Sequence, residues 1–175
     1  MSTWVFINDD YFSAKQAKIN IFDRGFLFGD SVFEVFITYQ GKPFSVDEHL
    51  QRLRHSAEKL LIPCLENNDW WKEKIIKLHS LSKNSESYFR IILSRGVNPR
   101  FELDQPYIGI GVSFETSVVI ICSPLTVPDP KYYQNGIRLV TSHIQRSPQS
   151  ITESGVKCSN YINNIMALEE ARQKG

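Results

Sequence analysis

The chain has 175 residues, 42% hydrophobic and 22% charged, with a net charge of +1. This is the make-up of an ordinary globular protein of one domain or two small ones, and it gives no electrostatic ground for nucleic acid or an anionic membrane as a partner. No apolar run reaches the ~18 residues that a membrane span needs.

Short strands are expected at Trp4 to Asn8 and at Tyr11 to Ser13, around an Asn8-Asp9-Asp10 turn. Ile19 to Gly29 is aromatic and glycine-rich and reads as an ordered loop. Val32 to Tyr39 is β-branched and aromatic and leads into Gln40-Gly41-Lys42-Pro43, which predicts a hairpin. Ser45-Val46-Asp47-Glu48 reads as a capping box. After it Val46, Leu50, Leu53, Ala57, Leu60 and Leu61 share one helical stripe that Pro63 ends. A second helix is expected over Trp70 to Leu81, a strand over Tyr88 to Ser94, a turn at Arg95 to Pro99, and another strand over Val118 to Cys122. Pro124 to Pro130 reads as a linker. Gly136 to Thr141 is a further strand, and Ser159 caps a helix reaching Lys174, with Gly175 beyond its end. Strands, helices and strands again in the first part of the chain indicate an α+β domain over 1–125, followed by a linker and the start of a second domain over 126–175.

Four segments carry chemistry. Lys157 lies in Ser154-Gly155-Val156-Lys157-Cys158-Ser159-Asn160-Tyr161, just before a helix start, where the chain turns. That setting suits a lysine whose amine must be held and aimed; a solvated loop lysine is the plainer alternative. Asp23-Arg24-Gly25-Phe26-Leu27-Phe28-Gly29-Asp30-Ser31-Val32-Phe33-Glu34 can be read structurally, with glycines for tight backbone, aromatics for core and Asp30 as a cap. In His49-Leu50-Gln51-Arg52-Leu53-Arg54-His55-Ser56-Ala57, Arg52 falls well away from the apolar stripe. A solvated face explains this, and so does an anion site, since a guanidinium fork suits a phosphate. His49 and His55 lie on different sides of the helix, so no metal site is expected there. In Tyr88-Phe89-Arg90-Ile91-Ile92-Leu93-Ser94-Arg95-Gly96, alternation puts Tyr88, Arg90 and Ile92 on one face.

Together these segments resemble the class IV, or fold-type IV, pyridoxal-phosphate (PLP) aminotransferases. The resemblance runs from about Trp4 to Gly175. It rests on a K-x-x-N-Y-x-x-N-x-x-A-x-x-E-A pattern from Lys157, and on D-R-G-x-x-x-G-D-x-x-F-E, H-L-x-R-L-x-x-S-A and Y-x-R-x-x-x-x-R-G patterns upstream. It implies the N-terminal α+β domain of a two-domain enzyme, plus the first strand and helix of the C-terminal domain. It implies that Lys157 is catalytic and carries PLP, that Arg52 and Tyr161 bind the cofactor, and that Tyr88, Arg90 and Phe28 contact substrate. The implied reaction is transamination between a small amino donor and a 2-oxo acid, of branched-chain or D-amino-acid type. Aminodeoxychorismate lyase activity, or a non-catalytic remnant, are the alternatives. A homodimer using the aromatic loop of Phe22, Phe26 and Phe28 is implied as well. Family members also place a glutamate for the pyridine nitrogen further along the chain than Gly175. The 175 residues are therefore expected to be incomplete and inactive as they stand; Glu153 is not assigned that role. Three scattered cysteines, Cys64, Cys122 and Cys158, suit a reducing compartment. No signal-peptide pattern is read at Met1 to Asp10, so the expected location is cytoplasmic.

Overall fold

In the computed structural model of the chain, which describes residues 2–97, 109–110, 115–145 and 155–174, six strands form one antiparallel sheet. They are β1 (Trp4–Ile7), β2 (Asp10–Ser13), β3 (Ser31–Tyr39), β4 (Lys42–Pro43), β5 (Ser87–Ser94) and β6 (Ser117–Pro124), in the order β2-β1-β6-β5-β3-β4. The central register pairs Val35 with Arg90 and Phe33 with Ile92, and on β5's other side Ile91 with Ile120. Three helices accompany the sheet: α1 (Arg24–Phe28), α2 (Val46–Lys59) and α3 (Asn68–Ser82). The order of strands and helices is the expected α+β arrangement.

Period-two alternation decides which side of the sheet is core. Phe89, Ile91 and Leu93 of β5, with Val32 and Phe36 of β3, are buried against Leu50, Leu53 and Ala57 of α2 and Trp71, Ile75 and Leu78 of α3. Each such Val, Leu, Ile or Phe side chain contributes roughly 1.5–3 kcal/mol on burial. Phe36 stacks on Phe89, its cross-strand neighbour, at 5.1 Å. The hairpin between β3 and β4 turns through Gln40 (φ 51°) and Gly41 (φ 70°), the double left-handed turn that matches strand twist. The Glu86 carboxylate clasps it, accepting from the Gly41 N–H at 3.1 Å and from the Thr38 hydroxyl.

The chain divides into two compact units: Met1–Leu125 with Gly155–Ser159, and Thr126–Ser154 with Asn160–Gly175. The segment that bears Lys157 thus packs with the first unit, whereas the sequence reading placed all of 126–175 together. The second unit holds α4 (Lys131–Asn135) and α5 (Ile162–Gln173). Its polar hub is Glu170, which accepts from Ser142 Oγ at 2.6 Å, His143 N at 3.0 Å and Lys174 Nζ at 2.6 Å. Hydrogen bonds from Lys174 and then Ser142 bring the Glu170 carboxyl down to about 2. No described residue of this unit is buried.

Several local expectations need correction. Gly136 to Thr141 forms no strand; among the described residues no neighbouring strand offers it hydrogen bonds, and Leu139 is 85% exposed. Ser45 does not cap α2 with its side chain, because its backbone is left-handed (φ 48°). That helix stops at Lys59, before Pro63, and Leu61 turns left-handed at φ 54°. Asp23, not Asp30, caps α1, which sits inside the segment read as loop. Helix α5 begins after Tyr161, and Ser159 Oγ accepts from Ser31 Oγ rather than from a helix N–H. Asn98, Pro99, Glu153 and Gly175 lie outside the described residues.

Candidate active site

The edge of β3 not paired to β5 holds the lysine segment. Val32 and Cys158 form an antiparallel bridge. The Phe33 N–H donates to the Lys157 carbonyl at 2.9 Å, the Ser159 N–H to the Ser31 carbonyl at 3.0 Å, and Ser31 Oγ to Ser159 Oγ at 2.7 Å. From the helix side, Ser56 Oγ of α2 accepts the Lys157 N–H at 3.1 Å. The backbone of Lys157 is therefore fixed by a strand and a helix, which leaves the side chain to define the site.

Successive residues of β3 face opposite sides, so Phe33 and Glu34 begin two different clusters. On the face turned away from α2, the Lys157 amine lies over the Phe33 ring, 4.3 Å from its centroid. The Arg90 guanidinium lies 4.5 Å from the same centroid. Arg90 Nε is buried and has no hydrogen-bond acceptor among the described residues, a cost of about 1–3 kcal/mol for a group left in that state. Tyr88 and Ile92 flank Arg90 on this face, as alternation predicts.

On the helix-facing side, Glu34 is fully buried. Its carboxylate takes a two-pronged hydrogen bond from Arg52, Nε to Oε1 at 2.5 Å and Nη2 to Oε2 at 2.6 Å, and His49 Nδ1 lies 3.0 Å from Oε2. Burial works against the charge of Glu34, but the hydrogen bonds from Arg52 and His49 outweigh it and hold the carboxyl below its ordinary range. Arg52 is half exposed, and its Nη1 has no partner among the described residues.

A third charged cluster braces the loop before β3. Asp30 accepts from Arg24 Nε at 2.7 Å and from Arg95 Nε at 2.7 Å and Nη2 at 3.0 Å. Burial raises its carboxyl, yet the bonds from Arg95 and Arg24 prevail and lower it. Arg95 also donates to the Leu60 and Leu61 carbonyls, tying the end of α2 to this loop. Gly96 follows at φ 92°, where a Cβ would fall 1.7 Å from the Glu115 carbonyl oxygen, so no other residue fits.

Of the residues singled out from sequence, Lys157 and Arg90 meet over one ring, while Arg52 lies on the opposite face of β3. Tyr88 shares Arg90's face. Phe28 is exposed, under the Arg24 guanidinium at 5.3 Å. Tyr161 belongs to the second unit. Sequence reasoning missed Phe33, Glu34 and Ser56. The signal for Glu34 was present: alternation puts it with Val32 and Phe36, and a carboxylate on a core face demands a cation.

The donor set suits PLP. An amine is aimed from a fixed backbone, one guanidinium has a buried Nε without an acceptor, and a second turns two unused donors outward. The aldehyde of PLP, the carboxylate of an amino-acid substrate and the phosphate of PLP would call for these respectively.

The family model for amino-transferase class IV matches residues 31–175. Aminodeoxychorismate lyase of Bacillus subtilis (strain 168) is 32% identical over 168 residues, covering 95% of this chain and 54% of the relative. D-alanine aminotransferase of Bacillus licheniformis is 27% identical over 169 residues, covering 97% of this chain and 56% of the relative. Among solved structures, the branched-chain amino acid aminotransferase of Escherichia coli superposes with a TM-score of 0.85 at 22% identity, covering all of this chain and 58% of that one. The chain belongs to the class IV aminotransferase family and has the fold of that family's N-terminal domain. The family is PLP-dependent and includes lyases. The chain spans about half the length of these relatives.

Proposed function

We propose that this chain supplies the lysine-bearing part of a PLP-dependent transaminase site, acting on a branched-chain or D-amino acid as donor and a 2-oxo acid as acceptor. The observation that carries the reading is the Lys157 amine and the Arg90 guanidinium, its Nε without an acceptor, gathered on the Phe33 ring. When bound, PLP supplies an electron sink for charge developing at the substrate α-carbon. Lys157 holds the cofactor and moves the proton at that carbon. Arg90, helped by Tyr88, binds the substrate carboxylate. Phe33 excludes water beside the amine. Arg52 receives the cofactor phosphate on its outward edge, and Tyr161 and Phe28 are assigned to cofactor and substrate on family resemblance alone.

Elimination by an aminodeoxychorismate lyase is the second reading. It is favoured by the 32% identity to the B. subtilis enzyme of that name, the highest of the three identities given above. A homodimer built on the exposed Phe22, Phe26 and Phe28, in a cytoplasmic setting, belongs to the same proposal.

The test is borohydride reduction of the PLP-treated protein followed by peptide mapping. The label is expected on Lys157 and is lost in Lys157→Ala. Label on a different lysine overturns the assignment. Separate assays with amino donors and with aminodeoxychorismate then divide transfer from elimination.

A further inference from the structure

Glu34 is a fully buried charge that the proposed chemistry leaves unused. Its neighbours explain its place. Arg52 occupies it through both Nε and Nη2, and His49 faces the second oxygen. Such a grip fixes the plane and rotation of the guanidinium. The Nη1 edge, with its two N–H groups, is left without a partner among the described residues. A buried ion pair of this kind is poor evidence for stability, because desolvation offsets most of the attraction. A role in orientation fits it better.

The same two elements that hold Arg52 also hold the lysine. Glu34 follows Phe33, whose N–H bonds the Lys157 carbonyl. Ser56, one helical turn beyond Arg52, accepts the Lys157 N–H. The direction of the arginine edge is thereby set relative to the lysine backbone by β3 and α2 alone.

We propose that Glu34 is a positioning residue for phosphate recognition: it locks the Arg52 guanidinium so that the Nη1 edge is presented to the cofactor phosphate. The proposal rests on the assignment of Arg52 to that phosphate. An arginine already held in its binding rotamer loses little freedom when the anion arrives, whereas an unheld one must be ordered at that moment. A lysine cannot be held in the same way, since it is a point charge on a flexible stem.

The experiment compares binding of PLP with that of pyridoxal, which lacks the phosphate, to the 175-residue chain and its variants, following cofactor absorbance at equilibrium. The ratio of the two affinities isolates the phosphate. Glu34→Gln is expected to reduce that ratio by about tenfold, with pyridoxal affinity unchanged. Arg52→Lys is expected to lose as much of the ratio as Arg52→Ala, and Glu34→Gln added to Arg52→Ala to cause no further loss. If Glu34→Gln does not fold, Arg52→Lys decides: a ratio kept near that of the parent means that charge alone suffices and overturns the proposal. The proposal also falls if Arg52→Ala lowers the ratio while Glu34→Gln and Arg52→Lys leave it intact; the assignment of Arg52 to phosphate then survives. A parent chain that shows no preference for PLP over pyridoxal, or an Arg52→Ala variant that keeps the preference, overturns the assignment and this inference with it.

Discussion

The two units hold their helices by different means. In the first, α2 and α3 lie on a sheet and bury Leu50, Leu53, Trp71, Ile75 and Leu78 completely. In the second, α5 leaves Ile162, Ile165, Met166 and Leu168 each at least half exposed, and it is tied to the residues before it by polar contacts, the hub at Glu170 and a hydrogen bond from Asn163 to the Gln145 carbonyl. Apolar burial is the dominant favourable contribution to folding, so the first unit carries the stability of the chain. The contrast bears on function, because the lysine segment takes its place from the first unit.

Substitutions can break this contrast. The largest effect is expected from Phe89→Ala, which empties the centre of the core and should cost about 3–5 kcal/mol in chemical denaturation. Asp30→Asn comes next. It removes the charge and one of the two acceptor oxygens that face Arg24 and Arg95 and should cost about 1–3 kcal/mol. This variant also tests a pH dependence. The lowered carboxyls of Asp30 and Glu34 contribute stability that is full above the ordinary carboxylate pKa and is lost as pH falls through their folded values. The urea midpoint should therefore drop on acidification below about pH 4, less steeply in Asp30→Asn. Parallel acid profiles for parent and variant would count against the ion cluster.

A smaller change sharpens the assignment of the lysine segment. Ser56→Ala removes the acceptor of the Lys157 N–H and should cost about 1 kcal/mol. Hydrogen exchange at Lys157 should quicken while that of the β5 amides holds; unchanged exchange at Lys157 would show that α2 does not anchor it. The smallest effect is expected from Leu139→Ser, within about 0.5 kcal/mol in the same denaturation assay, since the side chain is already in solvent. A loss there comparable with that of Phe89→Ala would erase the distinction between the units.

Much of the first unit was legible in the chain. An apolar stripe placed α2 to within a few residues, the helix expected over Trp70 to Leu81 matches α3 as closely, and alternation put Tyr88 and Arg90 together on one face of β5. Gln40-Gly41 marked its hairpin. Local rules failed where a neighbour competed for a group. Ser45 has cap chemistry but a left-handed backbone, and Ser159 has a hydroxyl that pairs with Ser31 instead of a helix end. At Gly136 to Thr141 the residues favour a strand, but β-propensity records packing against neighbours, and no strand among the described residues pairs with them.

By itself the sequence determined the periodic elements, the α+β order, and the lysine, arginine and tyrosine positions that mark the family, because spacing along one chain fixes which residues share a face. Tertiary structure alone decided that Gly155–Ser159 packs with the first unit. It also decided that one ring gathers Lys157 and Arg90, and that Arg52 is held by a buried Glu34 eighteen residues before it. These are contacts between distant segments, set by strand register and by which buried charges must find partners, and neither is written in local periodicity.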